Sequence, residues 1–405
     1  MGYEKEREIE QDEQGWRYSH KTICFRCVSD PYLREEVKSR ANKSECDFCN
    51  RRSRQTPNAI PFNDFMRVVA GAIFQYYSHV EEDTMAWDSE DQTYVGSTYS
   101  TWELVRYNLA PATNEDALRE IIDSLGEHTW CDKSPYSLSD SERYQYSWEE
   151  FCKTVKHETH YFFNSPKEVE VHSDKIPVPQ MLDALQDLIN ETGLVRSLPS
   201  ETALFRVRAH CRAEACDTWQ SLGSPPPDAA VSSRMSAAGI SMFYAALDMA
   251  TAKAEMTISL LPKDGKILTG AKWVNTQPFT VLDLTNLPQP PSFYARVRYD
   301  REQMLFLRHF VETITQPIAH DGKHHIEYVP TQILTEYFRY KYRTHDNFRL
   351  DGIMYPSAQR KGGRSIVIFA SQSDLDPNPS GWQPATPLLV LDSASIKRLR
   401  RTQSH

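Results

Sequence analysis

The chain lacks the features of a membrane or secreted protein. None of its apolar runs approaches the roughly 18 residues that a membrane-spanning helix needs. Its first residues, MGYEKEREIEQDEQ, are charged and lack the apolar core of a secretory signal, and Glu6 breaks the MGxxx[ST] pattern of myristoylation. We therefore expect no membrane contact and a cytoplasmic protein.

An excess of positive charge is also missing. The 405 residues include 46 Lys and Arg against 55 Asp and Glu, which leaves a net charge of −9. A protein that binds DNA or RNA normally presents a basic face to the phosphates. We therefore expect no nucleic-acid partner, and we interpret the short basic tail SIKRLRRTQSH as the exposed end of a helix.

Common nucleotide-binding and hydrolase motifs are absent as well. No GxGxxG follows a predicted strand and no GxxxxGK[ST] occurs, which excludes a Rossmann cofactor site and a P-loop. Ser357 has no GxSxG elbow around it, which argues against a hydrolase nucleophile. Any dinucleotide that binds is therefore expected as a consumed substrate and not as a hydride carrier.

The length predicts two or three domains, because single cores stop growing beyond about 250–300 residues. Residues 1–60 are polar and predict a small zinc-knuckle region, whereas residues 61–165 show helical spacing and predict an all-helical module. Residues 166–180 contain three prolines and predict a linker. Residues 181–400 mix strands with helices, which predicts an α+β domain with one core.

Several element boundaries are predicted as well. Asn63 or Asp64 is the expected N-cap of the first long helix, and Gly193 the expected C-cap of the helix in MLDALQDLINETGLV. Helices are predicted over residues 247–260, 300–316 and 331–343. Strands are predicted in six segments: ALFRVRAH, ISMFYAAL, FTVLDLT, GIMYPS, SIVIFA and PLLVLD.

Four of the eight cysteines have the spacing of a metal site. Cys24 and Cys27 form one CxxC pair, and Cys46 and Cys49 form a second pair eighteen residues later. Two such pairs complete a tetrahedral shell of thiolates, which suits zinc. Because four thiolates leave no position for a substrate or water, the predicted zinc is structural and not catalytic.

One stretch in the last domain consists mostly of small and apolar residues but carries three reactive side chains. RMSAAGISMFYAALDMATAKAE reads as a buried strand followed by a helix, yet it carries Arg234, Tyr244 and Glu255. Glu255 has no basic residue three or four positions away on the helix, so no local ion pair explains it. The alternatives are a solvated helical glutamate or a carboxylate that faces a site.

Two further segments place polar groups in apolar strands. In ALFRVRAH, Arg206 and Arg208 alternate with apolar residues, so both guanidinium groups share one face of the strand. In LDGIMYPSAQRKGGRSIVIFA, Ser357 ends one strand before Gly362 and Gly363 turn the chain into the next. A strand end is a common place for binding groups.

These blocks resemble the RES domain family, which is named for its Arg, Glu and Ser residues. The similarity runs from about residue 204 to residue 369, through LFR, SRMSAAGISMFYAALDMATAKAE, VPTQILTEYF and DGIMYPSAQRKGGRSIVIF. The resemblance implies a fold similar to ADP-ribosyltransferases and an activity that destroys NAD+, as in toxins of the family. The N-terminal part is similar to the zinc-knuckle region that precedes some RES and HEPN domains.

The resemblance also implies roles for single residues. Arg234, Tyr244, Glu255 and Ser357 match the family's catalytic positions, and Arg206 matches its early arginine, with Arg208 beside it as a second candidate for substrate binding. Expected roles are charge stabilisation at the ribose for Glu255, diphosphate contacts for the arginines, stacking or ribose contacts for Tyr244, and phosphate positioning for Ser357.

The sequence departs from the family pattern in the middle block. Met235 and Ala237 replace a phenylalanine and a proline, which predicts altered packing without loss of chemistry. The segment between Glu255 and Ser357 is also long, and we expect it to change substrate access.

Three functions remain open from the sequence. The first is an NAD+ glycohydrolase or phosphorylase that cleaves the nicotinamide–ribose bond with water or inorganic phosphate as acceptor. The second is a protein mono-ADP-ribosyltransferase, and the third is a non-catalytic, zinc-dependent interaction protein. An enzyme that consumes NAD+ must be restrained, so we expect a neutralising antitoxin or a regulatory protein. The aromatic helix around Tyr76 and Tyr77 suits a core or a homo-oligomer interface equally.

Overall fold

The computed structural model describes residues 14–82, 85–164, 174–258, 266–317, 324–344, 346–379 and 386–399. The chain divides into two compact units. The first consists of Met1–Asp140 and Gln289–Met304, and the second of Ser141–Pro288 and Leu305–His405. No helix of the described residues is long and apolar enough to cross a membrane.

The first unit combines helices with short strands around a large apolar core. Its helices are α1 (Pro31–Ser39), α2 (Phe62–Tyr76), α3 (Thr101–Glu103), which continues as a π-helix (Leu104–Leu109), and α4 (Glu115–Leu125). Its strands are β1 (Thr22–Cys24), β2 (Ala59–Pro61), β3 (Tyr77–His79), β4 (Trp87–Asp88), β5 (Thr93–Tyr94), β6 (Thr98–Ser100) and β7 (Thr129–Asp132). Strand β1 pairs with β2, β4 pairs with β5, and β7 lies between β3 and β6.

The prediction that residues 61–165 are all helical is wrong, because three of the strands form a sheet there. Strands of three or four residues are too short to show a period of two in the sequence. The central strand β7 is held by tertiary packing, since Trp130 and Cys131 are fully buried. The predicted N-cap is also wrong: α2 starts at Phe62, and the Asn63 side chain instead pairs with the backbone N–H and carbonyl of Ser19.

The second unit is built on an eight-stranded mixed sheet. Its strands are β8 (Val195–Leu198), β9 (Ala203–His210), β10 (Phe243–Ala246), β11 (Ile267–Asn275), β12 (Phe279–Asp283), β13 (Gly352–Pro356), β14 (Arg364–Ile368) and β15 (Leu389–Leu399). Their order is β15-β11-β9-β10-β14-β13-β12-β8, and every pair is antiparallel except β12 with β13. The fold of this unit is therefore α+β.

Helices connect these strands. They are α5 (Asp140–His157), α6 (Met181–Thr192), α7 (Trp219–Leu222), α8 (Met249–Ile258), α9 (Arg298–Thr315), α10 (His324–Glu327) and α11 (Val329–Tyr340), and the division between the two units falls within α9. Helix α6 ends at Gly193 with φ +62°, which confirms the predicted C-cap. Most of the predicted linker 166–180 lies outside the described residues.

The interpretation of the basic tail as a helix end is wrong. Residues up to Leu399 continue β15, which pairs with β11 along its whole length apart from one irregularity between Gly270 and Lys272. Leu391 and Ile396 of this strand pack on the core, whereas Lys397 and Arg398 are exposed. The sequence does not suggest a strand here because its positively charged residues occupy solvent-exposed positions. The last residues, 400–405, lie outside the described part.

The two faces of the sheet have different partners. One face carries the main core, in which Phe243 packs edge-on against Trp273 at 5.2 Å between ring centroids. The other face is covered by α8, and there Ala252 packs against Val207 and Ala246. Since α8 carries Glu255, this second face positions the candidate site.

Candidate functional site

The four cysteines of the two CxxC pairs meet at one point in the first unit. The sulfur atoms of Cys24 and Cys27 lie 3.8 Å apart, those of Cys24 and Cys49 3.6 Å, and those of Cys27 and Cys46 3.8 Å. Four sulfurs placed about 2.3 Å from one zinc ion in a tetrahedron are separated by about 3.8 Å, so the residues fit a zinc ion. Within the described residues this is the one cluster of three or more ligand side chains.

Short elements hold these thiols in place. Cys24 ends β1, and Cys27 ends the 3₁₀ turn that follows. The second pair lies in a turn closed by the Asn50 N–H, which donates to the Cys46 carbonyl. The backbone N–H of Cys24 points at the Cys46 sulfur, 3.3 Å away, as a knuckle around a thiolate requires. The arrangement fits a structural metal.

Glu255 in the second unit is held by two serine hydroxyls. Ser357 donates to Oε1 of Glu255 at 2.5 Å, and Ser365 donates to the same oxygen at 3.2 Å. These bonds join residues more than a hundred positions apart in the sequence. Glu255 is thus partly buried beside the ends of β13 and β14, which disfavours the alternative of an isolated solvated glutamate.

All hydrogen-bonding positions of the Ser357 hydroxyl are occupied by groups of the protein itself. It donates its proton to Glu255 and accepts the backbone N–H groups of Gln359 and Arg360 at 3.2 and 3.1 Å. A hydroxyl has one proton and two lone pairs, so no capacity is left for a phosphate. This geometry suits the orientation of Glu255 better than the phosphate contact expected from the sequence.

An ion pair fastens the loop 357–363 to the start of α8. Arg360 Nη1 lies 3.1 Å from both carboxylate oxygens of Asp248 and donates to the Thr251 hydroxyl at 2.9 Å. Asp248 also accepts the N–H and the hydroxyl of Thr251. Burial alone would raise the pKa of Asp248, but the Thr251 hydrogen bonds and the Arg360 charge outweigh it and lower the pKa.

Gly363 allows this close approach. A Cβ atom at this position would lie 2.7 Å from the Thr251 hydroxyl oxygen, closer than side chains tolerate. The loop therefore packs directly on the first turn of α8, and Glu255 and Ser357 are brought together by the same contact.

Arg360→Met should loosen this loop without unfolding the protein. Arg360 and Asp248 are about half exposed, so the loss of stability should stay below about 1 kcal/mol. Amide exchange at positions 359 and 360 should rise about tenfold, because these two N–H groups are ordered by the fastened loop. Arg349→Met, at an exposed arginine in the same unit, is the control. Equal exchange in both variants would show that the ion pair does not order the loop.

Tyr244 lies on β10 with its phenol turned inward. Its hydroxyl is 2.9 Å from the Ser236 hydroxyl, and burial raises its pKa to about 12. The phenol therefore stays protonated at any physiological pH and can donate or stack but cannot act as a base.

Arg234 lies in a turn whose ends, Ser233 and Ser236, exchange backbone hydrogen bonds. Its guanidinium donates to the carbonyls of Ile314 and Gln316, at 2.7 and 2.6 Å, and lies 5.8 Å from the Tyr328 ring. The carbonyls belong to the end of α9, where a positive charge is favourable. The guanidinium has further N–H groups, so these bonds do not exhaust its donors.

Helix α11 supports this turn. The Gln332 amide donates to the carbonyls of Ser233 and Ser236, and Thr331 donates to the Arg234 carbonyl. Met235, which departs from the family pattern, is buried and accepts a hydrogen bond from Thr335. The substitution thus affects packing beneath the turn.

Arg206 and Arg208 share one strand face, as the sequence predicted, but this is the face opposite α8. Phe205 packs beside α8, whereas Arg206 lies over the Phe243 ring at 5.3 Å and donates to the Tyr244 carbonyl at 2.5 Å. Arg208 donates to the Ser221 carbonyl. Burial, with the Arg208 charge, lowers the pKa of Arg206 to about 10. To make the expected diphosphate contacts, both arginines would have to break their hydrogen bonds to these backbone carbonyls.

Several supporting residues carry no recognisable pattern in the sequence. Ser365 reaches Glu255 only because of the β14 register, and Gln332 reaches the Arg234 turn from another helix. Asp248 alone had a recognisable pattern, since an aspartate before MATAKAE is a typical N-cap.

Comparison with protein families adds an independent finding. The model of the RES domain matches residues 203–389, and the model of the HEPN/RES N-terminal domain 1 matches residues 39–169. The first match includes all six candidate catalytic and substrate-binding residues; the second includes Cys46 and Cys49 but begins after Cys24 and Cys27. No curated protein and no solved structure matches the chain.

Proposed function

This chain carries a RES domain, and RES domains belong to a family of NAD-acting enzymes of the toxin type. We therefore propose that the protein cleaves the bond between nicotinamide and ribose in NAD+. The observation that carries the proposal is the carboxylate of Glu255. Its Oε1 is fixed by two hydroxyls, which orients the group and leaves the second oxygen, which bonds to no other described residue, for a substrate.

The reaction suits such a carboxylate. The C–N bond to ribose breaks, nicotinamide leaves as a neutral base with the bonding electrons, and positive charge develops on the ribose ring. A fixed negative charge beside the ring stabilises that transition state, and such preorganised groups account for large rate effects. Water or inorganic phosphate then bonds to the anomeric carbon and loses a proton to solvent.

The other residues are assigned supporting roles. Arg234 provides N–H donors and a positive charge for the diphosphate, and the protonated phenol of Tyr244 contacts the nicotinamide ribose. Ser357 holds Glu255 in its orientation. Arg206 holds β9 beside β10, Arg208 holds β9 beside α7, and zinc bound by the four cysteines stabilises the first unit.

The activity itself is tested with the full-length protein and NAD+. We expect nicotinamide release, with ADP-ribose as the second product in phosphate-free buffer. A phosphorylated ADP-ribose that forms only with inorganic phosphate would establish phosphorolysis. ADP-ribose attached to added protein would instead establish mono-ADP-ribosyl transfer.

A negative result has a defined meaning as well. Absence of nicotinamide release together with no change in Tm on adding NAD+ would contradict the proposal and favour a non-catalytic protein. An active enzyme of this kind also needs restraint in its own cell, so we expect a neutralising partner protein.

A further inference from the structure

Tyr355 is a tyrosine of the sheet that the roles above leave unused. It lies on β13 two residues before Ser357 and directly opposite Ser365 on β14. Side chains at i and i+2, and side chains of directly opposed residues, share one face of a sheet. Since Ser357 and Ser365 both bond to Glu255, the phenol of Tyr355 lies beside that carboxylate.

The same face brings in the other candidate residues. Ala246 on β10 also lies opposite Ser365, so Tyr244, two residues before it, shares the face of Tyr355. Burial raises the pKa of Tyr355 far above its ordinary value, and nearby Tyr244 and Glu255 raise it further, against the charge of Arg234. The phenol is therefore protonated and lies within electrostatic reach of three predicted catalytic residues.

Its hydroxyl differs from those of three other enclosed tyrosines of the second unit. Tyr244 bonds to Ser236, Tyr337 to Asp183 and Tyr342 to Asn190. For Tyr355 the described part of the chain provides no hydrogen-bond partner, although the side chain is largely enclosed. Inward-facing tyrosine hydroxyls usually have a partner, so a free one among reactive groups is available to a ligand.

We propose that Tyr355 is a substrate-contact residue whose hydroxyl donates a hydrogen bond to the ribose next to the bond that breaks. This inference rests on the proposed cleavage of NAD+. It identifies the nicotinamide ribose as the part of the substrate that the site recognises. The second oxygen of Glu255 accepts a hydrogen bond and Tyr355 donates one. Together they match a ribose diol, in which each hydroxyl both donates and accepts.

Tyr355→Phe tests this by removing only the hydroxyl. The experiment uses the full-length chain, measures nicotinamide release from NAD+, and takes Tyr337→Phe as the matched control. Tyr355→Phe should lower kcat/KM about 10- to 100-fold with an unchanged Tm, since the site loses one hydrogen bond to substrate and the protein loses none. Tyr337→Phe removes a bond to Asp183, so it should lower Tm and leave kcat/KM within about twofold.

The outcomes separate this inference from the proposed function. An active wild type with an equally active Tyr355→Phe variant overturns the role of Tyr355 and leaves the proposed reaction standing. A Tyr355→Phe variant that loses more Tm than Tyr337→Phe shows a structural role and also overturns it. A wild type that releases no nicotinamide overturns both.

Discussion

Glu255→Gln should reduce nicotinamide release by about 10²- to 10³-fold while the protein stays folded. The glutamine has the same shape, and its carbonyl oxygen can still accept the hydroxyls of Ser357 and Ser365. What it loses is the negative charge beside the developing positive charge of the ribose. The measurement is the single-turnover rate of nicotinamide release, with Tm recorded for the same preparation.

Glu312→Gln is the matched control, because it removes one negative charge from an exposed position of α9 in the same unit. Its rate should equal that of the wild type. If both variants were as active as the wild type, the carboxylate of Glu255 would not act at the ribose. The Ser357–Glu255 bond would then be a structural link between α8 and the loop that follows β13.

Some strands of the second unit follow from the sequence, whereas the nine-residue β11 and the four-residue β8 do not. Strand β9 has the bounds of ALFRVRAH because its alternation extends over eight residues. Strand β8, with four residues and two exposed positions, shows no such pattern, so the sequence does not predict it. The division into units is equally hidden, since residues 289–304 interrupt the second unit in sequence but belong to the first.

The candidate site shows the same limit. Alternation placed Arg206 and Arg208 on one face, but which face depends on the pairing of Phe205 with Ala246, and no local pattern encodes that register. The resemblance to the RES family named Glu255 and Ser357 together. Only the structure shows that the serine proton is directed at the carboxylate. Hydrogen-bond direction depends on tertiary placement of groups far apart in the sequence.

Cys46→Ser should remove the metal and destabilise the protein more than the substitutions in the second unit. Cys46 is fully buried, and its sulfur lies 3.8 Å from that of Cys27. Zinc sites of four cysteines contribute about 10 kcal/mol or more to small domains that depend on them. The first unit has its own apolar core, so we expect a smaller loss, of several kcal/mol. The measurements are zinc content per chain and the unfolding transition, before and after chelation.

Cys211→Ser is the control, because Cys211 is an exposed thiol in the second unit. It should keep the zinc content and the unfolding transition of the wild type. Equal zinc content and stability for Cys46→Ser would rule out a metal at the four cysteines. The converse result has a further consequence, because four thiolates fill a tetrahedral shell and leave no position for substrate. The metal would then act on the reaction only through the stability of the first unit, while the chemistry stays with Glu255.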